Sequence, residues 1–258
     1  MLLAHVVSIA CIGCCAAVPV QQQSSARATA NQAKAATQKK APAKPRQRRR
    51  NPAMEPVKDD PRLPRVLLIG DSISIGYTVS VRTMLAGKAN VHRPLTNCGP
   101  SIKGLRELDL WLGDGKWDVI HFNFGLHDLK YMGPNGENLY DPKKGHPQVP
   151  IKDYALNLES IARRLKKTGA VVIWRNTTPV PPGAKGRVVG DSKKYNEVAA
   201  KIMDKHGIPI HDMYSFSMEH MGDIMLKANV HFSKEGSQKL AETVVQRITA
   251  GLKSKASK

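Results

Sequence analysis

Cysteine is almost missing from this 258-residue sequence: three of the four fall together at Cys11, Cys14 and Cys15, and only Cys98 lies in the remainder. No internal disulfide can staple that remainder, which excludes a disulfide scaffold and leaves a hydrophobic core as the source of stability. Also missing is an apolar run of bilayer-spanning length. The first twenty residues, MLLAHVVSIACIGCCAAVPV, are apolar and small but stop at Pro19 and a glutamine run, too short to cross a membrane comfortably. They read as a signal peptide over residues 1–20, although no Lys or Arg supplies the basic start such a segment normally has. Cys11, Cys14 or Cys15 could carry a lipid, but none has a leucine three residues before it, which makes a lipoprotein the weaker alternative. The expected location is secreted, periplasmic or cell-envelope.

Acidic residues are scarce near the start. Residues 21–58 hold ten Lys or Arg against Glu55 alone, about half of the formal excess of +19. A tract rich in Ala, Gln, Lys and Pro cannot bury enough apolar surface to order itself, so residues 21–61 are expected to be disordered. No aromatic residue is interleaved with these charges to stack on bases. That argues against specific nucleic-acid binding and leaves a solvated spacer or a polyanion contact through residues 27–50.

What is present suits one α/β domain over residues 62–252, followed by a basic tail at 253–258. Val66–Ile69, Val119–Phe124 and Val171–Trp174 are short apolar runs and predict buried strands. Ile102–Leu112, Tyr154–Lys167, Ser192–Lys205 and Lys234–Leu252 carry helical periodicity. Strands alternating with helices imply a parallel sheet covered on both faces. Two polar loops, Leu129–Pro150 and the segment TTPVPPGAKGRVVG, follow strand ends, where ligands of open α/β sheets collect.

The tripeptide Gly-Asp-Ser occurs twice. Gly70-Asp71-Ser72 ends a strand and opens a helix, a setting that holds a serine beside the N–H groups of a helix start and suits nucleophilic chemistry. Gly190-Asp191-Ser192 follows a polar loop, and Asp191 there reads as a helix cap. His231, in NVHFSKEG just before the last helix, is a candidate base for Ser72.

Four blocks in order, IGDSIS, TNCGPS, FNFGLHD and VHFSKEG, resemble those of the SGNH/GDSL hydrolases over about residues 64–252. The resemblance implies a flavodoxin-like three-layer α/β/α sandwich with a parallel sheet of about five strands, and serine esterase or lipase activity without metal or cofactor. It implies Ser72 as nucleophile and His231 as base, with an oxyanion hole from the N–H groups of Ser72 and Gly99 and the side chain of His127. Two departures stand out. The family's Gly-x-Asn-Asp is Gly125-Leu126-His127-Asp128 here, so an imidazole replaces an amide donor, and Ala228 stands where the family places the acid three residues before its histidine. Asp212, Asp223 or a main-chain carbonyl is then left to orient His231.

The sequence expectation is an exported serine ester hydrolase. Few aromatics and no Met-rich or long apolar stretch favour short acyl groups, such as O-acetyl on polysaccharide, over lipids or thioesters. A non-catalytic carbohydrate- or partner-binding domain is the alternative of another class. Oligomeric state is not legible.

Overall fold

A computed structural model describes residues 51–257. The signal peptide expected at 1–20 and residues 21–50 of the basic tract lie outside the described residues.

The three long apolar runs form the sheet's centre: β1 (Arg65–Ile69), β3 (Val119–Phe122) and β6 (Val171–Arg175). Their residues are buried on both faces, so they read as continuous rather than alternating hydrophobic runs. Two strands too short to announce themselves flank them, β2 (Asn90–His92) and β7 (Ile210–His211). The order is β2-β1-β3-β6-β7, every pairing parallel, so the expected doubly wound sheet of five strands is present. Register is set with Val66 opposite Val119 and Val119 opposite Val171.

Helices α1 (Ser72–Met84) and α7 (Lys234–Ala256) pack together, while α2 (Ser101–Leu112), α3 (Ile151–Lys167) and α4 (Asp191–Lys205) form a second layer, α3 touching both neighbours. In α3 the expected stripe of Tyr154, Leu158, Ile161, Ala162 and Leu165 is buried. Two short helices, α5 (Met213–Glu219) and α6 (Met221–Ile224), lead into α7. Within the loop after β3, β4 (Tyr131–Met132) pairs antiparallel with β5 (His146–Pro147).

Two expected boundaries shift. Residues 51–61, expected to be disordered, pack on the domain: the Asn51 side chain caps a 3-10 turn at Pro52–Met54, Ala53 is buried, and Arg82 Nη1 donates to the Pro52 carbonyl at 3.0 Å. The tail expected at 253–258 is helical to Ala256, because Lys, Ser and Ala suit a last helical turn and cations complement its carbonyl end. Lys255 Nζ also donates to the Gly169 carbonyl at 2.6 Å.

Candidate active site

The sharp exit from β1 brings Ser72 to the carboxyl end of the sheet. Gly70 is required there, since a Cβ would sit 2.9 Å from Ser74 Cβ. Asp71 caps α1 by accepting from Ile73 N–H at 3.0 Å. That leaves Ser72 as the first helical residue, with an N–H that has no intrahelical acceptor. Beneath this turn Asp71 and Arg175, both buried, stand 3.9 Å apart, and Arg175 Nη2 donates to Asn123 Oδ1 at 2.6 Å. Arg93 braces the turn from the other side, donating to the Gly70 and Thr96 carbonyls.

His231 arrives on a tight hairpin closed by Leu226 N–H to the His231 carbonyl at 2.9 Å and by a Met225–Phe232 bridge. Its Nε2 is 2.9 Å from Ser72 Oγ, across 159 residues of sequence. Its Nδ1 is 2.8 Å from Asn229 Oδ1, and the same oxygen accepts the His231 backbone N–H at 3.1 Å. That second bond decides the tautomer. A backbone N–H can only donate, so the Asn229 oxygen must face it, and the Nδ1 facing the same oxygen must carry the proton. Nε2 is then the acceptor for the Ser72 hydroxyl. Sequence reasoning missed Asn229 and offered two carboxylates or a main-chain carbonyl; neither carboxylate serves. Asp212 caps α5 and accepts from Ser215 N–H and Asn176, while Asp223 sits exposed on α6 with no hydrogen bond to His231. The available signal was the Asn-x-His spacing, which an Asx turn uses.

The third block turns on Gly125, at φ 154°, where a Cβ would collide with Thr177 Oγ1. His127, in that turn, is held below the ordinary histidine value chiefly by burial; Lys130, Arg187 and His231 lower it further and Asp71 opposes them. It is therefore a neutral imidazole with one N–H to give. Asp128 anchors the block to the start of α2, accepting from Ser101 N–H at 2.8 Å and Ser101 Oγ at 2.5 Å, and burial pushes its pKa up to about 7.

Gly99 departs from expectation. Its N–H donates to Asn97 Oδ1 at 2.9 Å, so this donor is occupied rather than offered to a ligand. The second Gly-Asp-Ser also differs in detail. The cap of α4 is Gly190, at φ 90°, and Asp191 lies in the first turn, paired with Lys194. Ser192 is buried, its hydroxyl without a partner among the described residues. Among those residues no group of His, Cys, Asp and Glu is arranged to hold a metal, and no helix is long and apolar enough to cross a membrane.

No curated protein matches this sequence. Solved structures do. An acetyl xylan esterase, AlAXEase, is 12% identical with a TM-score of 0.58, over 71% of this chain and 99% of that one. A lipase/acylhydrolase from Enterococcus faecalis is 21% identical with a TM-score of 0.55, over 72% and 96%. Axe2, an acetylxylan esterase from Geobacillus stearothermophilus, is 16% identical with a TM-score of 0.55, over 72% and 94%. At such identities these likenesses speak for the fold. The sequence match is independent of them and runs over residues 68–239, from the strand before Ser72 past His231, so this chain belongs to the GDSL-like lipase/acylhydrolase family.

Proposed function

We propose that this acylhydrolase is an exported serine esterase that removes short acyl groups, O-acetyl above all, from carbohydrate. The observation that carries the catalytic part is the relay Ser72 Oγ, His231 Nε2, His231 Nδ1, Asn229 Oδ1, with contacts of 2.9 and 2.8 Å. Ser72 Oγ attacks the ester carbonyl carbon while its proton passes to Nε2. The negative oxygen of the tetrahedral intermediate is met by the Ser72 N–H and the His127 ring N–H, with the Gly99 N–H joining only if Asn97 releases it. The bond to the alcohol breaks as Nε2 returns the proton to the departing oxygen, leaving an acyl group on Ser72. Water then gives its proton to Nε2, attacks the acyl carbon and frees the acid, and Ser72 recovers its proton. Asn229 stabilises the productive tautomer throughout without supplying charge.

The short-acyl, carbohydrate part is supported by polar loops around the site and by two acetylxylan esterases among the similar structures. Export is supported by the apolar first twenty residues. The test is a serine-reactive organophosphate followed by peptide mapping, with kcat for a short-chain aryl ester. Labelling at Ser72, loss of turnover in Ser72→Ala and retention in Ser192→Ala are expected. Equal losses in both variants, each still folded, refute the assignment.

A further inference from the structure

Beside His231 lies a cavity of about 190 Å³ lined by Leu139, Lys185, Arg187, Ala228, Asn229 and His231 among others, none of them acidic. Three loops meet there under strain. Leu139 and Ala228 are the described non-glycine residues with left-handed backbones, at φ 55° and 52°, and both line this cavity. Gly186 packs so closely on Leu139 that a Cβ would lie 2.3 Å from its Cα. Backbone held in such conformations tends to mark a ligand site.

The charges of this cavity are uncompensated. Arg187 Nε donates to the Leu126 carbonyl at 3.1 Å, and no carboxylate pairs with its guanidinium among the described residues. Lys130, 9% exposed and outside the cavity lining, is near enough to Arg187 for the two cations to disfavour each other, and its ammonium also has no partner among those residues. The acid whose field reaches Arg187 is Asp71, which is already engaged in capping α1 and facing Arg175. Cations gathered without a counter-charge cost stability unless an anion completes them.

The cavity's place relative to the reaction says which part of a substrate enters it. Nε2 of His231 hands its proton to the departing alcohol, so a cavity walled by His231 and Asn229 is on the alcohol side of the ester. We propose that it receives an oxyanionic substituent, carboxylate or sulfate, carried by the alcohol part of the substrate. The esters removed are then those of an acidic sugar. This rests on the hydrolase reading above. Arg187 supplies a planar fork of donors matched to either anion and Lys185 a mobile point charge at the rim.

The experiment compares kcat/KM for three soluble probes: an O-acetylated methyl glucoside, the matching glucuronate and the matching 6-sulfate. The anionic probes should exceed the neutral one, by about tenfold at low ionic strength, with the advantage shrinking as salt rises. Lys185→Gln should cut the anionic-to-neutral ratio about threefold and Arg187→Gln by more, whereas Lys193→Gln, on the exposed face of α4, should leave the ratio alone. Carboxylate and sulfate arms tell which anion fits. A ratio of one or less, or one that neither variant moves, overturns the proposal. Should no sugar probe be turned over, the carbohydrate-ester reading has failed instead, and the hydrolase reading with it if the aryl ester is also untouched; calorimetric binding of the same three sugars then decides: equal affinities refute the anion site, preferential binding of an acidic sugar that is lost in Arg187→Gln upholds it.

Discussion

Replacing Asn229 by alanine removes an acceptor at 2.8 Å from His231 Nδ1 and at 3.1 Å from the His231 N–H. In the resting enzyme each is a neutral hydrogen bond. In the transition state the ring has taken the Ser72 proton, so the Nδ1 contact becomes a bond from a cation, worth about 1.5–3 kcal/mol against roughly 1 for a neutral one. Only the difference, about 0.5–2 kcal/mol, is lost from the barrier, so kcat should fall about 2- to 30-fold with KM little changed, because the added strength exists only while the ring is charged. Asn229→Asp keeps both acceptor contacts and adds charge, so its kcat should equal or exceed the parent's. Ala228→Asp, which recreates the family's usual position, should bring no gain, since Nδ1 is already occupied and residue 228 lines the cationic cavity instead. The assay is steady-state turnover of one aryl acetate by all four proteins, with circular dichroism to confirm folding. An Asn229→Ala enzyme as fast as the parent would refute the reasoning, and so would a gain confined to Ala228→Asp.

Three further outcomes test the frame around the site. Folded Asp128 keeps its proton to about pH 7 against an ordinary 3.8, so the folded state holds the extra proton between those values and stability falls as pH rises through the window; urea midpoints should drop from pH 4 to 8, and Asp128→Asn should flatten that slope. Arg175→Met leaves Asp71 buried without its counter-charge and should cost about 3–5 kcal/mol in urea unfolding, a loss under 1 kcal/mol being incompatible with the buried pair. A chain beginning at Asn51 should melt with the full-length protein, whereas one beginning at Asp59 loses the Ala53 contact and the Arg82–Pro52 bond and should melt about 2–4 °C lower.

What the sequence displayed was whatever depends on long apolar patterns. Val66–Ile69, Val119–Phe122 and Val171–Trp174 were legible because strands buried on both faces leave unbroken apolar runs, and α3 because its stripe is five residues deep. β2 and β7 carry three and two residues, too few for any periodicity, and their pairing is decided by the strands beside them. At the site, the serine and histidine were visible as motif members, but the orienting group was sought among carboxylates and main-chain carbonyls, because among side chains charge is what a sequence advertises. Asn229 works through a local turn, its oxygen reaching the N–H two residues on, and Asn97 does the same to Gly99. One such turn supplies the acceptor that faces His231 Nδ1 and the other occupies an expected donor. Which of these an asparagine does depends on where its loop lies, which composition does not record.

The packing of α1 against α7 has a consequence for the timing of activity during synthesis. Ser72, His127 and all five strands of the parallel sheet have been made by residue 211, yet the hairpin carrying His231 and the helix α7 that packs on α1 follow it in the chain. On the proposed mechanism a nascent or truncated polypeptide therefore holds a nucleophile with no base and stays silent toward esters. Turnover recovered in a refolding experiment would then time the joining of the chain's first and last helices rather than any local event, making catalysis a direct clock for that closure.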